Sequence, residues 1–371
     1  MVLIVRVVAI SLLLQFCAWQ VLADEADIGF DLPKGFTATV LVRDVGKARS
    51  LALGEQGTLF ISTRGPGKLY AVTDAFSSAP QLITIATGLD MPNGIAFFDG
   101  ALYVAELKRI VRYRNIEKNL ENPGEPEVVV AELPFDGKLH AWKYIGFDSQ
   151  GRLYVSIGAP CNICEASGLA VMLRMNADGS ERETIARGIR NSVGFDWHPT
   201  TGELWFTDNG RDMLGDEIPP DELNRIHQEG LDFGFPYCHG VDIADPKFSA
   251  LGHCSDATPP VQNLDPHAAA LGMRFYTGSM FPAEYHQQVF IAEHGSWNRS
   301  KSAGKTGYRI SLVRLNKNHP VSYEPFMEGF MNADQKVLGR PVDLLVAPDG
   351  SLLVSDDKRG VVYRVTYHEE G

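Results

Sequence analysis

One phrase of apolar and turn residues recurs along the chain: a few apolar residues, a Gly/Asp turn, then a strand reading Leu-Tyr/Phe-Val/Ile. It runs through 51–61, 94–104, 145–155, 193–206, 273–291 and 344–354, the fifth copy being degraded. In the second copy Gly94-Ile95-Ala96-Phe97-Phe98 leads through Asp99-Gly100 into Ala101-Leu102-Tyr103-Val104. Each copy predicts two short antiparallel strands around a tight turn, whose Asp and Gly residues supply the backbone angles a hairpin needs. A third strand often follows, as at 68–72 and 361–365. Early copies are spaced by about 43 to 50 residues, the length of a four-stranded blade. Later spacings stretch, with insertions near 208–265 and 296–307. One blade cannot bury its own two faces, so the copies must stack radially. Six copies predict an all-β, six-bladed β-propeller. Long helical periodicity is scarce, which argues against an α/β fold.

The 371 residues, 44% hydrophobic, are ample for a large core. At the N-terminus Arg6 precedes the apolar run 7–14, and Val21-Leu22-Ala23 before Asp24 fits a signal-peptidase site. Residues 1–23 therefore read as a signal peptide and 24–371 as a single propeller domain, periplasmic or secreted. An uncleaved membrane anchor is the competing reading, but the run is short and is broken by Gln15 and Gln20. No later stretch could span a bilayer, so no stable membrane insertion is expected after signal removal. The net charge is −12, one unit more negative without 1–23, and disfavours nucleic acid and anionic membranes as partners. Of five cysteines, Cys17 leaves with the signal. The remaining Cys161, Cys164, Cys238 and Cys254 read as two disulfides in an exported protein. Local pairing, Cys161–Cys164 and Cys238–Cys254, is favoured among three possible pairings. Cys161-Asn162-Ile163-Cys164 could instead be a redox motif or half a zinc site, but no second CxxC or HxxxH accompanies it.

A propeller gathers one loop per blade at the mouth of its central channel. Arg49, Asn93, His140, Arg190-Asn191 and Arg340 each precede the first apolar strand of a repeat by a few residues. Cations and amides crowding one axis make a poor core but a good site for an anionic, carbonyl-rich ligand. The alternative is that these residues begin strands and bond to neighbouring loops.

The phrases Gly188-Ile189-Arg190-Asn191-Ser192-Val193-Gly194-Phe195, Asp221-Glu222-Leu223-Asn224-Arg225-Ile226, Phe233-Gly234-Phe235-Pro236 and Gly339-Arg340-Pro341-Val342-Asp343 resemble the glucose/sorbosone dehydrogenase family. The likeness runs from about Leu32 to Tyr367. It implies an exported enzyme that oxidises aldoses or sorbosone-like aldehydes with pyrroloquinoline quinone (PQQ) and calcium (Ca2+). Electrons would leave to an external acceptor, a cytochrome or the quinone pool. By the same resemblance His140 is the general base, a role suited to imidazole. Arg190 and Asn191 lie on the cofactor, with Arg190 also stabilising the oxyanion formed in catalysis. Arg340 binds a PQQ carboxylate, and Asn93 stands near an amide that touches the cofactor. A basic residue of the fifth blade is expected as well, with Arg299 the first choice and Lys301 or Lys305 the others. Calcium over the quinone matches the carbonyls of Gly210 and Arg211, and a second calcium matches Glu222 and the carbonyl of Phe233.

The chain departs from the glucose-oxidising members at Leu139, where they place Asp, and in the extra residues 212–220. Both departures fit the sorbosone-dehydrogenase-like branch better. Gly304-Lys305-Thr306 is no phosphate-binding loop, because Arg299 stands where that pattern needs Gly. No GxGxxG follows a strand, and no GxSxG elbow is present. Two rivals remain: a calcium-dependent lactonase on the same fold, and a non-catalytic exported propeller that binds carbohydrate or protein. A lactonase has little need of Arg190 plus Arg340 around its metal.

Overall fold

Six antiparallel blades of four strands, the third extended by a short fifth strand, follow one another along the chain, in a computed structural model that describes residues 29–137 and 139–369. The expected signal peptide lies outside the described residues. The first blade comprises Ala48–Leu53, Leu59–Thr63, Leu69–Thr73 and Gln81–Ala86, and the second Gly94–Phe98, Ala101–Ala105, Ile110–Arg114 and Glu127–Val130. The third comprises Ile145–Phe147, Arg152–Ile157, Val171–Asn176 and Glu183–Arg187. The fourth comprises Phe195–Trp197, Leu204–Asp208, Pro220–Ile226 and Gln262–Pro266. The fifth comprises Ala270–Phe275, Val289–Glu293, Arg309–Asn316 and His319–Met327. The sixth takes Pro341–Val346, Leu352–Asp356 and Val361–Tyr367 and borrows Phe36–Val42 as its outermost strand. Each sequence repeat supplies the first two strands of one blade, and the chain is the six-bladed propeller its repeats predict.

Why the repeats read as they do follows from the packing. Second strands such as Leu59–Thr63, Ala101–Ala105 and Leu352–Asp356 are buried at every position. A strand sandwiched between two neighbouring blades has no solvent face, so its sequence is an apolar run rather than an alternation. Glycine opens the second copy because blades converge there: a Cβ on Gly94 would sit 2.7 Å from the carbonyl of Lys143 and 3.0 Å from Cα of Tyr144. Ring closure depends on Phe36–Val42, which pairs antiparallel with Val361–Tyr367. Phe36 fixes it by meeting the rings of Phe281, Tyr285 and Phe326 edge-on at 4.8, 5.1 and 5.1 Å. Truncating so central a ring, as in Phe36→Ala, costs about 3–5 kcal/mol and would loosen the closure.

The expected insertion after residue 208 is a structured excursion. Between Pro220–Ile226 and Gln262–Pro266 the chain adds Leu231–Asp232 parallel to Glu183–Arg187 and pairs Cys238–His239 with Ile243–Ala244. Cys238 is bonded to Cys254 across this excursion, and Cys161 to Cys164 in the loop that follows Arg152–Ile157. The local pairing is thus the one adopted. The described residues form three short 3-10 helices and no α-helix. None of these helices is long and apolar enough to cross a membrane.

Candidate active site

In an antiparallel blade the start of the first strand and the end of the second lie at the same end. Two loops per blade therefore reach the mouth. They enclose a cavity of about 550 Å³ whose walls include His140, Arg190, Asn191, Gly210 and Arg340, contributed by the third, fourth and sixth blades. With Arg49, which also lines it, six of the expected residues meet in one cavity.

His140 is buried and takes φ 50°, a left-handed conformation unusual for a side chain of its size. Gly158 makes room for it, since a Cβ there would lie 2.6 Å from His140 Cβ and 2.7 Å from its carbonyl. The imidazole Nδ1 donates to the Ala159 carbonyl at 2.9 Å. A carbonyl only accepts, so in the neutral ring Nδ1 carries the proton and Nε2 keeps a lone pair. Burial, aided by the Arg190 guanidinium and opposed by the Ala159 hydrogen bond, pushes this imidazole down to about 3. It is a neutral base over the whole physiological range.

Arg190 is held by oxygens on every side. Its Nε and Nη2 donate to the carbonyl and side-chain oxygen of Asn162 at 2.9 and 2.8 Å, and Nη1 donates to the Asn209 carbonyl at 3.0 Å. Asp212 lies at 3.3 Å. Behind it Asp208 accepts from the backbone amides of Arg190 and Asn191 at 2.8 and 2.5 Å, fixing the Arg-Asn pair in place. Arg340 donates to the carbonyls of His294 and Gly295 at 3.0 and 2.8 Å and lies over the Tyr308 ring. Carbonyls fix its direction without neutralising it.

A second, very small cavity of about 10 Å³ adjoins the first, with Gly210, Asp208, Glu222, Phe233 and His239 among its walls. The register of the fourth blade sets Asp208 directly opposite Glu222. Like charges opposed in a sheet repel, and burial followed by the neighbouring carboxylates raises Glu222 well above the usual carboxylate range. Burial also raises Asp208. Asp221 lines the main cavity and accepts from Gly210 N at 2.8 Å and Ala270 N at 3.0 Å.

Three expected residues line neither cavity. Asn93 lies behind the main cavity, accepting from Arg49 Nε at 2.8 Å and donating to the Lys143 carbonyl at 3.0 Å. Arg211 turns its guanidinium to Asp245. Arg299 is spent on the inserted loop, donating to the carbonyls of Asp216 and Gly304 at 2.5 and 2.8 Å and to Glu217 at 2.8 Å. Residues 212–220 supply the Asp216 and Glu217 acceptors, and its neighbour Asn298 lines the cavity.

The sequence model of the TrAA12-like family matches residues 30–368. The chain belongs to the TrAA12-like family. Over 361 residues it is 35% identical to an uncharacterized protein of Borreliella burgdorferi, covering 94% of this chain and 93% of that one. Among solved structures, a Trichoderma reesei enzyme of carbohydrate-active family AA12 superposes with a TM-score of 0.78 at 19% identity, over 91% of this chain and 98% of that one. The PQQ domain of Coprinopsis cinerea pyranose dehydrogenase, in its holo form, gives 0.76 at 18% identity, over 91% and 97%. These likenesses bear out the resemblance to PQQ-dependent soluble sugar dehydrogenases at the level of the fold.

This TrAA12-like chain also brings to the cavity Arg64, Trp142, Asn162, His267, His294 and Asn298, none of which sequence reasoning had singled out for the site. Most stand in loops that follow second strands, whereas the repeat pattern marks residues ahead of first strands. Arg64 stacks on Trp142 at 4.5 Å. Trp142 Nε1 and Asn298 Oδ1 are buried with no hydrogen-bond partner, an arrangement that costs about 1–3 kcal/mol per group unless a ligand supplies one.

Proposed function

We propose that the chain is a sugar oxidoreductase that uses PQQ and calcium to oxidise aldoses or sorbosone-like aldehydes. The reading rests on one observation above all: a cavity walled by Arg64, Arg190 and Arg340 holds a buried histidine whose Nε2 keeps a lone pair, together with two orphaned polar atoms. Charged guanidiniums, amides and an unpaired indole N–H suit a planar, carbonyl-rich polycarboxylate. Arg190, Asn191 and Arg340 would hold it. The opposed Asp208 and Glu222, neither in an ion pair among the described residues, suit a hard cation with oxygen ligands, and Phe233 lines the same small cavity. When bound, the quinone supplies a two-electron acceptor for hydride.

The protein's own part is positioning and proton transfer. His140 Nε2 takes the hydroxyl proton of the sugar or aldehyde hydrate, its ring oriented by Ala159. Arg190, immobilised by Asn162 and Asn209, presents fixed positive charge to the oxyanion that develops. The two disulfides support a periplasmic or secreted location, with residues 1–23 removed and an external acceptor drawing off electrons. The test is to add PQQ and calcium to the purified apoprotein and follow dye reduction over a panel of aldoses and sorbosone. Reduction that needs both additions is expected; a protein that neither binds PQQ nor reduces dye with any sugar would reject the proposal.

A further inference from the structure

Beside the main cavity lies a second basin of about 540 Å³ whose walls include Lys47, Arg49, Arg64, His294, Arg340 and Lys358. Arg49, Arg64, His294 and Arg340 also line the main cavity, so the two share a wall. Only one carboxylate, Asp357, faces the five lysines and arginines. It is already committed, to Arg49 Nη1 at 3.1 Å and to His294 Nε2 at 2.9 Å. Lys47, Arg64 and Lys358 have no carboxylate partner among the described residues. In a chain of net charge −12, so many cations around one concave surface concentrate positive potential where a small ligand enters.

We propose that this basin is an anion subsite, and that the preferred substrates are saccharides carrying a carboxylate, the uronate class. The inference rests on the reading of the main cavity as a sugar-oxidising site and adds the substrate's charge. Of the cations that would hold the cofactor, the basin shares Arg340. Arg190 lies across the cavity on the fourth blade, whereas Lys47 and Lys358 line the basin alone. A sugar ring set near His140 can therefore turn an acidic substituent toward the first and sixth blades. Arg64, fixed on the Trp142 ring at 4.5 Å, stands at the shared wall and marks the passage. The volume is that of a small-molecule pocket rather than of a protein-docking face.

The test is calorimetric titration with glucuronate and with glucose, on the protein as purified and after loading with PQQ and calcium. The comparison is with the double variant Lys47→Ala/Lys358→Ala. An exposed charge pair is worth up to about fivefold, so the ratio of glucuronate to glucose affinity should fall roughly tenfold in the double variant. In the unaltered protein the same ratio should shrink as salt rises. A ratio near one in the unaltered protein overturns the proposal, as does a ratio the variant leaves intact. Loss of PQQ affinity in step with glucuronate would assign the basin to the cofactor and overturn it equally. Because binding is read directly, an absence of dye reduction would count against the oxidoreductase reading and leave the anion measurement to stand or fall by itself.

Discussion

Arg190 is clamped by Asn162, which offers its main-chain and its side-chain oxygen to one guanidinium, at 2.9 and 2.8 Å. Asn162 stands between the bonded Cys161 and Cys164, so this small disulfide fixes the residue that aims the central cation. The same side-chain oxygen accepts from Asp212 N at 2.8 Å, joining the inserted loop to the third blade. The CxxC sequence is thus a positioning device.

Asn162→Ala should leave the fold intact and loosen Arg190. Hydrogen bonds to charged groups are worth about 1.5–3 kcal/mol, and the carbonyl bond survives. PQQ affinity is expected to fall by roughly tenfold, with the melting temperature changed by only a few degrees. Fluorescence titration of PQQ measures it, and Cys161→Ser/Cys164→Ser should act in the same direction. Unchanged affinity in both variants would remove the clamp from the site's function.

His140→Ala should separate binding from turnover. Its Nδ1 is tied to Ala159, so deleting the ring removes the base and leaves the Arg190 and Arg340 side-chain bonds intact. Turnover is expected to drop by a factor on the order of 10²–10⁴ with PQQ affinity unchanged. Near-normal turnover would exclude His140 from the chemistry.

The acid side of the pH profile is expected to be flat where histidine enzymes usually fail. With His140 pushed down to about 3, the base stays unprotonated as pH drops through 6.5, and kcat/KM should hold from pH 8 to about 5. Labelled-histidine NMR should show this ring not titrating over that interval. Linkage carries a sign as well. The unfolded chain takes up this proton near 6.5 and the folded chain only near 3, so the site withdraws stability as pH falls through that window. A His140 titration midpoint close to 6.5 would contradict the buried geometry.

The blades were legible because a strand buried on both faces can only be an apolar run, and the turns between such runs need Asp and Gly. His140, Arg190-Asn191 and Arg340 were legible because they precede first strands at equivalent points of different repeats. Arg64 and His294 were not, since they follow second strands, where loops vary in length and no shared phrase marks them. The bonds of Arg299 to Asp216 and Glu217, distant in sequence, were illegible for a related reason: only the folded path of residues 212–220 reveals them. Asn93 occupies the expected position yet serves Arg49, because one residue's reach cannot be read from its place in a repeat.

The opposed pair in the fourth blade yields the last expectation. Asp208 and Glu222 are paired in register and buried, with Glu222 also bonded by Gly240 N at 2.7 Å and Asn224 at 2.9 Å. Neither carboxylate has a cation between them, so a divalent ion would relieve their mutual repulsion directly. A ligand that binds only the folded state stabilises it by about 2.7 kcal/mol at a hundred times its Kd. Calcium should therefore raise the melting temperature over that in EDTA, and magnesium, which demands stricter geometry, should do less. Glu222→Gln keeps the volume but removes one ligating oxygen, at the cost of one of the two N–H bonds the Glu222 oxygens accept. That variant should gain little in melting temperature from calcium over EDTA. Equal calcium shifts in the two proteins would place the ion elsewhere.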